Sequence, residues 1–236
     1  MNETKQTSES KIAVTGASGH LGRLVVEALL DGNTPAHRIV ALVRDPQKVS
    51  DFARRGVEVR RADYTQKDSL EAAFKGVERL LLISSNELGQ RLPQHRSVIE
   101  AASKTGVGFI AYTSIPKADT TEMQLAAEHR ETEQLIRESG IPFAFLRNSW
   151  YFENHTDQLS SILEHKAVFG SAGQGRVSAA TRADYAAAAA TVLTADNHEN
   201  KVYELGGDNA FTLTELAAEI SKQSGNEIVY RDLPVE

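Results

Sequence analysis

The chain has 236 residues, enough for one large domain or one domain with a small lobe, and a chain of this length buries roughly 70–75% of its unfolded surface without staples. Hydrophobic residues make up 41% and charged residues 25%, with a formal net charge of -6, which argues against a general binder of nucleic acid or anionic membranes. The 0 Cys exclude disulfides, thiolate zinc sites, iron–sulfur clusters and cysteine nucleophiles, and no run of ~20 apolar residues is present to span a bilayer.

Residues 1–10 are polar and aperiodic and are expected to form a disordered tail; with no apolar stretch they are no secretory signal, which points to the cytoplasm. Ile12–Thr15 is strand-like, and Leu21, Leu24, Val25, Ala28 and Leu29 form the stripe of a helix. Arg38–Val43 is a second strand. Asp45 and Pro46 then supply an N-cap and a first helical residue for a helix to Arg55. Val57–Val59 is a short strand, Ser69–Phe74 a helix, and Val77–Ile83 a continuous apolar run, as in a strand buried on both faces. Pro93–Lys104 is a helix, Gly108–Thr113 a strand, Met123–Ser139 a helix stopped by Gly140, and Phe143–Arg147 a sixth strand. Strands alternating with helices over 11–148 predict an α/β fold, a doubly wound parallel sheet.

Beyond Asn148 the alternation loosens. Trp150–Phe152 leads into a helix ending near His165, and Val168–Val177 reads as a glycine-rich loop between short strands. Asp184–Leu193, with alanine at every position from 186 to 190, reads as a closely packed helix, and Lys201–Leu205 as a strand. Thr212 and Glu215 form a capping box opening a helix to Lys222, and Glu227–Arg231 is a last strand. Residues 149–236 are expected to form a small C-terminal α/β substrate lobe.

The strongest local signal lies between the first strand and the first helix, in Thr15-Gly-Ala-Ser-Gly-His-Leu-Gly22. Gly16 permits a tight turn, Gly19 lets backbone approach a pyrophosphate, and Gly22 lets the helix pack closely on the strand. The helix N-terminus then offers N–H groups and partial positive charge to phosphates. A site selective for NAD places a carboxylate at the end of the second strand; here Val43 is followed by Arg44, suited to a 2′-phosphate, so NADPH is expected and NADH less favoured. Ligands in this fold bind at the carboxyl ends of the strands. Asp63 would meet the adenine or simply shape a turn; Ser84, Ser85 and Asn86 would line the ribose and nicotinamide edge; Thr113 and Ser114 would stand beside the nicotinamide.

The usual alcohol and ketone chemistry of this fold relies on Tyr-x-x-x-Lys. Four residues after Tyr64, Tyr112, Tyr151, Tyr185, Tyr203 and Tyr230 stand Asp68, Pro116, His155, Ala189, Gly207 and Pro234, none of them Lys. Either the protein does no chemistry or its acceptor needs little help from an acid. His20, His95, His129 and His155 lack metal-ligand spacing and read as structural or solvated. Glu128 to Glu133 with Arg137 reads as a solvated helix face carrying i,i+4 pairs.

Together with Ala62-Asp-Tyr64, Leu80-Leu-Leu-Ile-Ser-Ser85, Phe109-Ile-Ala-Tyr-Thr-Ser114, Leu146-Arg-Asn148, Trp150-Tyr151 and Ala180-Thr-Arg-Ala-Asp-Tyr185, the glycine loop makes the chain resemble the NmrA-like atypical short-chain dehydrogenases from Lys11 to Arg231. Within that family it is similar to the bacterial quinone reductases. The resemblance implies a Rossmann-like fold, and cofactor contacts from Gly16, Ser18, Gly19, His20 and Leu21, from Arg44, from Asn86, Glu87 and Leu88 with Arg91, and from Ser149, Trp150, Tyr151 and Asn154. It implies hydride transfer from NADPH directly to a quinone without metal or flavin, near Trp150 and Tyr151. On the residues alone, Trp150 and Tyr151 suit a flat ring or are ordinary core aromatics, and Asn148 either orients nicotinamide or quinone or caps the strand end. It also implies a chain that continues beyond Glu236, so the lobe is expected to be truncated and partly open. A quinone accepts hydride to give a stable hydroquinone anion, which fits the missing acid. A binding protein that senses NADP redox state without catalysis is the alternative; a sugar epimerase is weakened by the missing Tyr/Lys pair. A small-molecule quinone is the expected partner, with no nucleic acid and no membrane, and with a homodimer left open.

Overall fold

A computed structural model of the protein describes residues 10–87 and 89–234. The tail expected over 1–10 therefore lies, but for Ser10, outside the described residues, as does Leu88. The chain folds as two units, one running to Asn148 and including Ala183–Glu204, the other made of Ser149–Arg182 and Leu205–Glu236.

The first unit is built on a sheet of strands β1 (Lys11–Val14), β2 (Ile39–Val43), β3 (Glu58–Arg61), β4 (Val77–Leu82), β5 (Phe109–Ser114) and β6 (Phe143–Asn148). Their order is β3-β2-β1-β4-β5-β6, each neighbouring pair being parallel, with Ile12 opposite Ile39 and Val14 opposite Leu81. The order reverses between β1 and β4, the switch point where ligands bind in open α/β sheets. All of β2 and β5 is buried, as expected of strands covered on both faces. The helices α1 (His20–Asp31), α2 (Ser50–Arg54), α3 (Lys67–Ala73), α4 (Arg91–Thr105) and α5 (Gln124–Glu138) connect them. Leu70, Phe74, Leu80, Leu82, Val98, Ile110, Tyr112 and Phe145 lie in one continuous core. Asp45 caps as expected, its carboxylate accepting the Gln47 N–H at 3.0 Å, though it opens a 3-10 turn over Pro46–Val49 ahead of α2.

The sheet has a seventh strand, Lys201–Leu205, beside β6. Asn200 N–H donates to Phe143 O at 2.6 Å and Ser149 N–H to Leu205 O at 2.8 Å, so both strands climb in the same direction. The lobe expected over 149–236 is thus interrupted. Ala183–Glu204, holding nearly all of the alanine-rich helix Arg182–Thr194 and the seventh strand, belongs with the first unit because that strand completes its sheet.

The second unit contains α6 (Glu153–Thr156), α7 (Leu159–His165), β7 (Ala167–Gly170), β8 (Arg176–Val177), β10 (Phe211–Thr212), α9 (Leu213–Ser224) and β11 (Val229–Asp232), with β9 and α8 being the seventh strand and the alanine-rich helix above. Strand β7 pairs in parallel with β11, and β8 pairs antiparallel with β10. Ile162, Val168, Ala217 and Ile228 form its core. The capping box is present: Glu215 N–H donates to Thr212 Oγ1 at 3.1 Å, and Thr212 N–H to Glu215 Oε2 at 2.7 Å. The single helix expected to end near His165 is instead two. The run Asn154-His-Thr-Asp-Gln158 is poor in helix formers and satisfies its own backbone locally, Gln158 Nε2 donating to Asn154 O at 2.9 Å.

The helix face over Glu128–Glu133 is only partly solvated: Arg130 and Glu131 are exposed, but His129, Thr132 and Glu133 are buried. Arg147 rises from β6 beneath α5 with only 4% of its side chain exposed, and Glu133, 3% exposed, answers it with two bonds of 2.9 and 2.8 Å. Arg147 also reaches Asp119 at 3.1 Å and Glu204 at 2.9 Å. The expected i,i+4 contact from Arg137 to Glu133 is present at 3.5 Å, but it sits on the rim of this buried cluster. Removing one member of a buried pair strands the other charge. Glu133→Ala should therefore cost about 3 kcal/mol in chemical unfolding. A loss of less than about 0.5 kcal/mol, as on a solvated face, would contradict the buried pairing.

Candidate nucleotide-binding site

The site begins where β1 ends. Thr15 ties the switch point together: its N–H and its hydroxyl both donate to Leu81 O at 3.0 Å, and its Oγ1 accepts the Ile83 N–H at 2.9 Å. Gly16 then turns with a φ of +60°, and Gly19 N–H closes back onto Gly16 O at 2.8 Å. A Cβ on Gly22 would stand 2.3 Å from Gly16 O and 2.9 Å from Ala17 Cα. Gly22 therefore packs on the loop's own backbone rather than on the strand. Gly19 is the N-cap of α1 and brings no side chain to cap it, so the N–H groups of the first helical turn are not taken up by a capping side chain.

Above this loop lies a cavity of about 370 Å³, within the size range of small-molecule sites. It gathers Gly16, Ser18, Gly19 and His20 from the loop, Arg44 from the end of β2, Asp63 from the end of β3, and Ser84, Ser85, Asn86 and Glu87 from the end of β4. Asp63 also shapes the turn, its Oδ1 accepting the Thr65 N–H at 2.9 Å and hydroxyl at 2.8 Å, which hold its carboxyl below the usual range. Arg44 is 75% exposed at the rim. These residues fit a dinucleotide: a glycine cradle at a helix N-terminus for the pyrophosphate and a guanidinium where a 2′-phosphate would stand.

The other candidates of the first unit do not line the cavity. Leu21 and Gly22 are buried in the packing of α1. Thr113 Oγ1 accepts the Ser84 N–H at 2.9 Å, and the buried Ser114 hydroxyl donates to Glu133 Oε1 at 2.7 Å; both brace the strand ends from below. Arg91, 5% exposed, supports the β4 turn from behind rather than lining it. In the second unit, Ser149 N–H is bonded to Leu205 O, and Tyr151 bridges to Ala180 with the Arg182 guanidinium 5.0 Å over its ring. Asn154 Oδ1 accepts from Arg182 at 3.1 Å. Trp150 is 50% exposed, so it is no core aromatic. Asn148, 6% exposed at the end of β6, carries an Oδ1 with no hydrogen-bond partner. Among the described residues no group of three or more His, Asp or Glu side chains is placed to hold a metal ion.

A polar circuit that sequence reasoning missed stands behind Ser85. Ser85 O accepts from Arg91 Nε at 2.7 Å, and Arg91 Nη1 donates to Glu128 Oε2 at 2.8 Å. Ser85 N–H donates to His95 Nε2 at 3.0 Å, which places the ring proton on Nδ1, facing Thr132 Oγ1 at 3.0 Å. Thr132 in turn donates to Glu128 O at 2.8 Å and closes the circuit. The two pairs Arg91/His95 and Glu128/Thr132 stand at i,i+4 spacing on α4 and α5, the sole sequence trace of it. His129, on the same helix, meets the buried phenol of Tyr112 through Nδ1 at 2.7 Å.

The fold and the glycine cradle define a dinucleotide-binding protein of the doubly wound class. The sequence pattern of the NmrA-like family matches residues 8–236, and the chain belongs to that family. It is 54% identical over 222 residues to quinone oxidoreductase 2 of Escherichia coli strain K12, covering 94% of this chain and 77% of that one. The structure of the NADPH-dependent quinone oxidoreductase of Escherichia coli complexed with NADPH superposes with a TM-score of 0.91 at 54% identity, over 94% of this chain and 78% of that one. The Citrobacter sp. triphenylmethane reductase complexed with NADP(H) superposes with a TM-score of 0.91 at 42% identity, over 95% of this chain and 79% of that one.

Burial, with Arg91 nearby, takes the pKa of His95 down to about 3; burial takes that of His129 to about 3 as well. Both rings are neutral in the native state but titrate near pH 6.5 when unfolded. Their stabilisation is complete above about pH 6.5 and is lost as the pH falls toward the native values. At pH 5 that loss is about 2 kcal/mol for each ring. His95→Gln keeps an acceptor for Ser85 and removes the titration. It should lose less stability than the wild type between pH 7 and pH 5 in urea unfolding, and an equal loss would remove His95 from the acid response.

Proposed function

We propose that the protein reduces quinones with NADPH by direct hydride transfer. The observation that carries this reading is the cavity at the β1/β4 switch point, cradled by Gly16–Gly22 and rimmed by Arg44, in a chain similar over most of its length to an NADPH-dependent quinone oxidoreductase. When bound, NADPH supplies the hydride. The protein's own residues hold and orient. The loop N–H groups and the N-terminus of α1 meet the pyrophosphate, and Arg44 meets the 2′-phosphate. Asn148 Oδ1, buried without a partner, suits a donor such as a carboxamide or a hydroxyl.

Trp150 and Tyr151 are proposed to meet the quinone ring, and the second unit to be the substrate lobe. The hydroquinone anion left by hydride addition needs no strong acid, so water or a Tyr or Asn side chain suffices to complete it. This matches the absence of Tyr-x-x-x-Lys from the sequence. Among the described residues no helix is long and apolar enough to cross a membrane, and we place the reaction in the cytoplasm, with a homodimer as the assembly to test.

NADPH oxidation with a simple benzoquinone tests the activity; intact binding with zero turnover would favour a sensor. Arg44→Ala should weaken NADPH about tenfold, the low end for a charge-assisted contact because Arg44 is exposed, and barely touch NADH. Equal losses for both nucleotides would remove Arg44 from the choice of cofactor.

Tyr151→Ala should lower quinone turnover three- to tenfold, the scale of one lost aromatic contact, and leave NADPH binding intact. Unaltered kinetics with a large fall in melting temperature would make Tyr151 purely structural.

A further inference from the structure

Arg44 shares its edge of the cavity with a fixed carboxylate. Its Nη1 lies 3.6 Å from Oε1 of Glu87, and both residues line the cavity. Arg44 is the only Lys or Arg among the described residues of that lining. Glu87 is held in place from two sides. Its N–H donates to Ser85 Oγ at 3.2 Å, and its Oε2 accepts from Gln94 Nε2 at 2.7 Å. Gln94 is itself 6% exposed, and Ser85 is gripped through both its N–H and its carbonyl by His95 and Arg91. Oε1 is thereby left facing the guanidinium.

We propose that Glu87 tunes cofactor choice against Arg44: it competes with the 2′-phosphate for the guanidinium and so keeps the unphosphorylated dinucleotide usable. This deepens, and rests on, the reading of Arg44 as the partner of the 2′-phosphate. A phosphate reaching Arg44 must displace or share with Glu87, and it comes to rest beside a like charge well within the ~8–10 Å screening length of physiological salt. A dinucleotide with a free 2′-hydroxyl brings no competing charge, and its hydroxyl can donate to the carboxylate. The guanidinium attracts phosphate and the carboxylate repels it, so the preference between the two dinucleotides is the difference between these effects.

Glu87→Gln removes the charge and keeps the shape and an acceptor for Gln94. Fluorescence titration of NADPH and NADH against the wild type, Glu87→Gln and Arg44→Ala reads the outcome. Glu87→Gln should tighten NADPH three- to tenfold, leave NADH unchanged or weaker, and show a smaller gain at high salt. An unchanged or lowered NADPH-to-NADH preference in Glu87→Gln, with Arg44→Ala losing NADPH selectively, overturns the proposal and leaves the reading of Arg44 intact. Equal loss of both nucleotides in Arg44→Ala overturns that reading, and the proposal with it. The melting temperature of Glu87→Gln should match the wild type within a degree or two, because the side chain is half exposed and its replacement is isosteric.

Discussion

The phosphate side of the site depends on one missing carbon. With no Cβ at Gly22, the backbone of α1 settles onto the carbonyl of Gly16, where an alanine would bring two atoms to 2.3 Å. That approach fixes how far the helix N-terminus stands from the end of β1. The positive φ of Gly16 and the Thr15 bonds to Leu81 and Ile83 fix it laterally against β4. A helix terminus is useful to an anion only if its N–H groups point at one place, and here three backbone constraints within eight residues do the pointing.

The opposite wall is held by different means. The turn after β4 has no regular structure to hold it, so its one fully engaged peptide, at Ser85, is wired to two helices through buried polar groups. A closed circuit of this kind works only if every member is satisfied, which forces His95 to stay neutral and to keep its proton on Nδ1. Arg147 does the corresponding work two strands further on, joining β6, α5, the loop at Asp119 and Glu204. On the charged edge facing the ligand, Arg44 is exposed, while Glu87 is tied to the buried Gln94.

The contrast marks what was legible in the sequence. The glycine loop, the strand runs, the Asp45 cap and the capping box at Thr212 and Glu215 are signals spread over a few residues, and local signals survive folding unchanged. Of the residues that the resemblance suggests for the cofactor, Ser18, Arg44 and Asn86 lie on such segments and line the cavity. The Ser85 circuit and the Arg147–Glu133 pair join separate elements, Ser85 with His95 10 positions on, His95 with Thr132 37 on and Arg147 with Glu133 14 back, and the i,i+4 spacing within α4 and α5 does not say that the two helices meet. Hence Glu133 and Thr132 looked like a solvated face. A run of polar residues on a helix says nothing of what rises from the sheet beneath it. Thr113 and Ser114 do end a strand at the ligand edge, but their hydroxyls are engaged by Ser84 and Glu133, which no local signal foretells. The return of Ala183–Glu204 to the first sheet was hidden because a strand's sequence does not say which edge it will join.

That return has a consequence for how the chain is made. Translation delivers residues in order at roughly 5–20 per second, and domains fold as units as they emerge. Here β6 emerges with its outer edge unpaired, and the strand that covers it follows only at Lys201–Leu205, after the whole Ser149–Arg182 stretch. For those seconds a buried-type parallel sheet presents an open, apolar border, the surface most given to pairing with a neighbouring chain. The nascent protein is therefore most exposed to misassembly not at its beginning but between the completion of its nucleotide-binding half and the arrival of its seventh strand.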